Sequence, residues 1–197
     1  MTGNWNMTAN ATPFHLAANS HRWRGLMLAV ALLGAGWIWV TRSPAPPASD
    51  ATASPRAGFT APDFSLQTLD GQAVTLADLR GQAVMINLWA SWCPPCRKEM
   101  PDILRVYEAY RDQGFTVLAV NTTFQDNESD VRAFVQEFDL TFPILLDVTG
   151  SVSQRYQLRA LPTTFFVDRR GVIQEVVLGG PMSKALIESN VAKLLPP

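Results

Sequence analysis

Apolar residues follow two kinds of pattern along residues 84–194, and the two kinds alternate. Short continuous runs, such as residues 84–89 and 115–120, are typical of strands that are buried on both faces of a sheet. After each run, apolar positions recur at intervals of three and four residues, which predicts amphipathic helices. The predicted helical faces comprise Met100, Ile103, Leu104 and Tyr107, then Val131, Phe134, Val135 and Phe138, and finally Ile187, Val191 and Leu194. This alternation predicts an α/β domain whose parallel strands are joined by right-handed crossovers.

Turn signals predict a hairpin on each side of this alternating region. Residues 64–66 and 74–76 surround Asp70-Gly71, and residues 164–167 and 172–177 surround a second turn that ends at Gly171. Gly114 is predicted to cap the C-terminus of the first helix, and Asn127 and Ser183 to begin the next two helices. The apolar segment 142–146 predicts one further short strand.

An uncharged apolar stretch covers residues 25–40. A helix over residues 23–40 is roughly 27 Å long, close to the approximately 30 Å hydrocarbon core of a bilayer. Tryptophans near both of its ends fit the interfacial aromatic belts, namely Trp23, Trp37 and Trp39. We therefore expect a transmembrane signal anchor at residues 25–41.

The alternative is a signal peptide that is cleaved after Ala51-Thr52-Ala53. The length of the apolar run, and the proline-rich stretch that separates it from this motif, favour a retained anchor. Arg22 and Arg24 precede the anchor and only Arg42 follows closely, so the positive-inside rule places residues 1–24 in the cytoplasm as an N-terminal tail. We expect the rest of the chain on the extracytoplasmic, periplasmic side of the cytoplasmic membrane, beginning with a Pro/Ala-rich linker over residues 42–57.

The charge balance excludes one class of partner. The 197 residues include 16 Lys and Arg against 17 Asp and Glu, and no basic block is present. We therefore expect no nucleic-acid partner.

The only two cysteines, Cys93 and Cys96, stand where the first apolar run meets the first predicted helix. At a helix N-terminus, unpaired N–H groups and the helix dipole favour a thiolate, and a cysteine about one turn further on can form a disulfide with it. A structural zinc site needs four protein ligands, which this region does not offer, and a purely structural disulfide over so short a loop restrains little chain. A redox-active pair is therefore predicted, with no metal site.

Two motifs carry a resemblance to a known family. Trp92-Cys93-Pro94-Pro95-Cys96, followed by Arg97-Lys98-Glu99-Met100-Pro101, and the later Leu161-Pro162-Thr163-Thr164-Phe165 resemble the TlpA/ResA-type membrane-anchored thioredoxin-like oxidoreductases. The resemblance covers roughly residues 59–195. It implies a thioredoxin fold with an N-terminal β-hairpin extension over residues 58–197, preceded by one transmembrane helix.

The cysteines receive different roles in this interpretation. Cys93, expected to be the exposed member at the helix end, attacks a client disulfide, and Cys96 resolves the mixed disulfide. Pro94 and Pro95 fix the active-site turn, and because they lack N–H groups they stabilise the Cys93 thiolate less, which favours a reductant.

The resemblance also implies roles for residues around the cysteines. Leu161 and Pro162 resemble the cis-proline loop that pairs with a bound client, and Trp92 is expected to flank the client groove or to serve as a structural aromatic. Glu99 matches a glutamate used for proton handling in the ResA type, and Asn87 occupies the position where thioredoxins carry a buried aspartate. The alternative for Glu99 is a solvated helix surface shared with Arg97 and Lys98.

The resemblance further implies partners. Clients are expected to be protein disulfides, such as the CxxCH cysteines of apocytochrome c during cytochrome c maturation, and electrons are expected from a membrane dithiol carrier of the CcdA or DsbD kind. We expect no cofactor beyond the Cys93–Cys96 disulfide. Two rival functions are a thiol peroxidase of the peroxiredoxin kind and a non-enzymatic copper metallochaperone or client-binding module.

Overall fold

The computed structural model describes residues 53–195 and five helical positions near the N-terminus, Arg24, Met27, Leu28, Val30 and Ala31. The chain divides into two units, residues 1–47 and 48–197. Most of the predicted anchor, the tail before it and residues 42–52 of the predicted linker lie outside the described residues. Among the residues that are described, no helix has both the length and the apolar character needed to cross a membrane.

A seven-stranded mixed sheet forms the centre of the second unit, in the order β2-β1-β5-β4-β3-β6-β7. The central strands β3, β4 and β5 are parallel, with Ile86 opposite Leu118 and Val120 opposite Leu145. The flanking pairs β1/β2, β1/β5, β3/β6 and β6/β7 are antiparallel. The strands are β1 (Ser65–Thr68), β2 (Ala73–Thr75), β3 (Ala83–Trp89), β4 (Phe115–Asn121), β5 (Ile144–Leu146), β6 (Thr163–Val167) and β7 (Ile173–Leu178).

Helices cover both faces of this sheet, as continuously buried central strands require. One hydrophobic cluster joins the sheet to α1, α2 and α4, and the other joins it to α3 and to the segment around the first hairpin. The helices are α1 (Pro94–Tyr110), α2 (Glu128–Glu137), α3 (Ser151–Arg155) and α4 (Lys184–Leu194). The buried side chains on the helices include Met100 and Ile103 on α1, Val131 and Phe134 on α2, and Ile187, Val191 and Leu194 on α4.

Both predicted hairpins are confirmed, as are the parallel β3/β4 pair and the three long helices. Gly114 adopts a left-handed conformation with φ of 83°, although it ends a 3-10 turn at Arg111–Gln113 that follows α1 rather than α1 itself. Asn127 caps α2 by accepting a hydrogen bond from the N–H of Ser129.

Two features differ from the sequence-based prediction. The five-residue helix α3 was not predicted, and its first turn is held by the buried carboxylate of Asp147, which accepts hydrogen bonds from the N–H groups of Val152 and Ser153. Residues 53–57, assigned to the linker, lie against the folded domain, because Ala53 forms a β-bridge with Thr60.

Candidate active site

The two cysteines lie at the N-terminus of α1 and form a disulfide, with their Cα atoms 5.3 Å apart. Cys93 is the N-cap residue, and Pro94 and Pro95 occupy the first helical positions, where a missing N–H costs no intrahelical hydrogen bond. The first N–H group that reaches the Cys93 sulfur is therefore that of Cys96, at 3.3 Å from Sγ. The sequence prediction of the pair's position at the helix end is confirmed.

The accessibility of Cys93 was predicted wrongly. Only 2 % of its surface is exposed, and Cys96 is fully buried. Cys93 still lines a surface groove, whereas Cys96 does not. The two cysteines therefore differ in their contact with the groove, which Cys93 borders and Cys96 does not, rather than in their exposed surface. This difference identifies Cys93 as the attacking residue.

Glu99 is fully buried on α1, three residues after Cys96, so the alternative of a solvated helix surface is wrong. Its Oε1 accepts a hydrogen bond from Nδ2 of Asn87 at 2.9 Å, and its Oε2 accepts one from the N–H of Met182 at 3.0 Å. Burial raises the pKa of this carboxyl, and the hydrogen bonds from Met182 and Asn87 oppose the rise without cancelling it. Glu99 is thus placed to hold a proton at a pH where an exposed glutamate would have lost it.

Asn87 lies on β3 and links this carboxylate to Thr164 on β6. Its Nδ2 donates to Glu99 and also to Oγ1 of Thr164 at 2.9 Å, while its Oδ1 has no hydrogen-bond partner among the described residues. An asparagine cannot exchange a proton with a cysteine, so Glu99 is the one carboxyl among Asn87, Glu99 and Thr164 that could take up a proton from Cys96.

The loop at Leu161 and Pro162 completes the site. The Leu161–Pro162 peptide bond is cis, as the resemblance implied, and Leu161 lines the same groove as Cys93. Gly180 lies between this loop and the buried carboxylate. A Cβ atom on Gly180 would be 2.7 Å from Cγ of Pro162 and 2.8 Å from Oε2 of Glu99, so only glycine fits here without displacing a neighbour.

A groove of about 590 Å³ lies beside the disulfide, and we call it the client groove. Trp92 forms part of its wall with 55 % of its surface exposed, so this residue is not a core aromatic. A larger cavity of about 850 Å³ lies elsewhere in the domain and includes neither cysteine. The client groove lining consists of Trp92, Cys93, Pro94, Pro95, Phe124, Gln125, Gly150, Ser153, Gln154, Leu158, Arg159, Ala160 and Leu161.

Sequence reasoning missed Phe124 and Gln125, which form part of this wall. The Trp92 indole N–H donates to the carbonyl oxygen of Gln125 at 3.0 Å, and Phe124 lies in the groove with 41 % of its surface exposed. Phe124 packs closely over Gly150, because a Cβ there would be 3.2 Å from its ring. No local pattern could identify these residues, since they meet the CxxC turn only through the fold.

Asp126 fixes this segment to the chain just before the cysteines. Its carboxylate accepts hydrogen bonds from the N–H and hydroxyl of Ser91, both at 2.6 Å, and from Nδ2 of Asn121 at 2.8 Å. Partial burial raises the pKa of Asp126, but the hydrogen bonds from Asn121 and Ser91 outweigh it and lower the pKa overall. An ionised Asp126 therefore holds Ser91 in place next to Trp92.

Within the described residues, no three His, Cys, Asp or Glu side chains come together in a way that could hold a metal ion. The two histidines, His15 and His21, lie outside the described residues. The chemistry that the site offers is that of a dithiol with a buried acid three residues further along the same helix.

Comparisons with known proteins agree with this chemistry. Residues 57–176 match the AhpC/TSA family. The thioredoxin-like protein YneN of Bacillus subtilis is 44 % identical over 135 residues, which cover 68 % of this chain and 78 % of that protein. The thiol-disulfide oxidoreductase ResA of Geobacillus kaustophilus is 40 % identical over 139 residues, covering 71 % and 78 % of the two chains.

A solved structure shares the same architecture. The crystal structure of a putative thiol:disulfide interchange protein DsbE from Chlorobium tepidum superposes with a TM-score of 0.64 at 32 % identity. The match covers 70 % of this chain and 96 % of that one. This chain therefore has the same thioredoxin-like fold as a protein that is described as a putative thiol:disulfide interchange protein.

Proposed function

The chain belongs to the AhpC/TSA family and is a thiol–disulfide oxidoreductase of the ResA/DsbE type, and from this premise we propose that it reduces disulfide bonds in client proteins outside the cytoplasm. The observation that carries the proposal is the meeting of three features at one place. Cys93 lines an open groove, the cis-Pro162 loop lines the same groove through Leu161, and a buried acid lies three residues beyond Cys96.

Reduction proceeds by two thiol–disulfide exchanges. The thiolate of Cys93 attacks one client sulfur, which forms a bond between enzyme and client and releases the other client sulfur as a thiolate. Cys96 then loses its proton and attacks the Cys93 sulfur, so that the Cys93–Cys96 disulfide forms and the second client thiolate leaves. Two electrons pass to the client, and the two protons lost by the cysteine thiols balance those that the client thiolates take up.

Glu99 serves the second exchange in this proposal. Cys96 is fully buried and must lose its proton before it can attack, and Glu99 is the buried carboxylate one helical turn further along α1. Because burial raises its pKa, its affinity for a proton is closer to that of a thiol than an exposed glutamate would offer. Glu99 therefore accepts the Cys96 proton during client reduction and then releases it to solvent, which balances the proton that the second client thiolate takes up.

The proposal extends to location and electron supply. We propose that residues 25–41 anchor the chain in the cytoplasmic membrane, with the catalytic domain on the outer side. Such a domain needs electrons from the membrane itself, so the proposed donor is a dithiol carrier of the CcdA or DsbD kind. The proposed clients are apocytochrome c polypeptides, whose CxxCH cysteines must be reduced before haem attachment.

The reduction potential of the Cys93–Cys96 pair tests the direction of electron flow. It can be measured on the full chain with intrinsic tryptophan fluorescence as readout, because the Trp92 indole lies in the same groove as Cys93. We expect a value near or below about −250 mV, in the range of dedicated reductants. A value near −120 mV would mark an oxidant and would overturn the proposal.

Two variants test the roles of the cysteines. Cys96→Ser should accumulate the mixed disulfide with a client, and Cys93→Ser should form none and should fail to support cytochrome c maturation in its host. The topology is tested by a reporter fused after Pro197, which should be active only on the outer side of the membrane. Rapid turnover of hydrogen peroxide, with little reduction of protein disulfides, would instead favour a peroxidase.

A further inference from the structure

The client groove has an unusual distribution of charge. Of the described residues that line it, Arg159 is the only one with a charged side chain, and no described aspartate or glutamate is among them. Its other polar side chains are those of Ser153, Gln125 and Gln154, which are uncharged. A client segment in this groove therefore meets a single positive charge on an otherwise neutral, partly aromatic surface.

The two acidic residues nearest in sequence to the groove residues, Asp126 and Asp147, already accept hydrogen bonds from other parts of the domain. Asp126, next to Gln125, accepts hydrogen bonds from Ser91 and Asn121, and the carboxylate of Asp147 is buried at the start of α3. Arg159 also borders a neighbouring depression that contains Glu175, but no ion pair within 4.0 Å joins it to any acid in the described part of the chain. The guanidinium is exposed and available to a ligand.

Arg159 is close in sequence to Leu161, and both residues line the groove that contains the reacting Cys93. Arg159 precedes Leu161 by two residues, and within residues 53–195 neither the N–H nor the C=O of Leu161 makes a backbone hydrogen bond. An extended client can add its own backbone to such a free peptide group, as in other cases of strand addition. Since an extended chain advances about 3.3 Å per residue, a client that pairs with Leu161 would bring a side chain two or three residues from its target cysteine towards Arg159, which lines the same groove.

We propose that the client groove selects segments in which an aspartate or glutamate lies within about three residues of the cysteine under attack. This inference rests on the proposed reduction of client disulfides and adds the chemical class of the preferred client. An exposed charge pair stabilises a complex modestly, and it acts mostly by accelerating association in a salt-dependent way. The selectivity therefore takes the form of a rate difference between clients.

The test uses the reduced full chain and a set of short disulfide-linked peptides of otherwise identical sequence. One reference peptide carries glutamine two residues before and two residues after the cysteine, and the others replace one of these glutamines by glutamate or lysine. The second-order rate of peptide reduction is followed by Trp92 fluorescence at low and high salt. The measured quantity is the ratio of the glutamate rate to the glutamine rate at each position.

At one of the two positions we expect glutamate to raise the rate about three- to fivefold, lysine to lower it similarly, and high salt to bring both ratios near one. Arg159→Gln should remove the preference and Arg159→Glu should reverse it. Arg111→Gln removes the same charge at the far end of α1 and should retain the wild-type ratios. Ratios near one in the wild type, or unaltered ratios in Arg159→Gln, would refute the charge selectivity alone, whereas failure to reduce even the reference peptide would refute the proposed function.

Discussion

Replacing Glu99 by glutamine should alter how the stability of the fold depends on pH. Burial raises the pKa of this carboxyl above its ordinary value of 4.5, against the hydrogen bonds from Met182 and Asn87. The folded protein therefore binds this proton more tightly than the unfolded chain does. It follows that the free energy of unfolding decreases as the pH rises from about 4.5 through the folded-state pKa, and that this contribution is constant above it.

The slope sets the size of the effect. One proton that is bound in the folded state and absent in the unfolded state corresponds to about 1.4 kcal/mol per pH unit. Glutamine carries no such proton, so the stability of Glu99→Gln relative to wild type should increase by up to about 1.4 kcal/mol per unit across this window. The glutamine also fits locally, because its amide can donate to Oδ1 of Asn87, which has no partner, once the Asn87 amide has turned.

Urea denaturation of the oxidised full chain, followed by circular dichroism from about pH 4 to pH 8, measures this difference. Glu108→Gln is the matched control, since it makes the same substitution at an exposed position of the same helix. Its stability curve should run parallel to that of the wild type. A Glu99→Gln curve that is also parallel would show that the folded state does not hold the Glu99 proton, and the proposed proton transfer to Glu99 would fail with it.

Two further predictions concern the surroundings of the disulfide. Gly180→Ala should lower the free energy of unfolding by about 1–3 kcal/mol, because the new Cβ would overlap Pro162 and Glu99, and should slow client reduction. In Gly179→Ala the Cβ meets open space, so any loss of stability there comes from backbone strain at a φ of +78° and client reduction should not slow; equal slowing of client reduction in both variants would contradict the steric argument. Asp126→Asn should lower the stability by about 1–2 kcal/mol at neutral pH, because hydrogen bonds to a charged acceptor are the stronger ones. The lowered pKa of Asp126 stabilises the fold at pH values above the unfolded value of 3.8, and this stabilisation is lost as the pH falls through the folded-state pKa. The stability difference between wild type and Asp126→Asn, measured by urea denaturation, should therefore shrink in acid. A difference that does not depend on pH would contradict this role of the Asp126 charge.

The elements with strong periodicity could be predicted from the sequence. β3 and β4 are buried along almost their whole length, so their continuous apolar runs left little ambiguity, and the faces of α1 and α4 follow the three- and four-residue spacing. The helix α3 lacks such a signal, because it has only five residues and its first turn is stabilised by Asp147 from outside the helix. A local pattern cannot show a cap of this kind.

The candidate site was predicted in part. The cysteine pair and the cis-Pro162 loop follow from short motifs, but the environment of each residue depends on contacts that are distant in sequence. Glu99 follows two charged residues and has the appearance of a surface residue, yet it is buried by partners 12 positions before it and 83 positions after it. The groove wall at Phe124 was missed for the same reason.

The contact between Glu99 and Met182 makes the redox site dependent on a helix that lies outside it. The N–H of Met182 and that of Lys184, which donates to Asp102, connect the beginning of α4 to α1. A displacement of α4 from α1 would remove the Met182 hydrogen bond from the Glu99 carboxylate and would alter the burial that raises its pKa. The packing of α4 therefore sets the proton affinity of Glu99, although no residue of α4 is among the described residues that line the client groove.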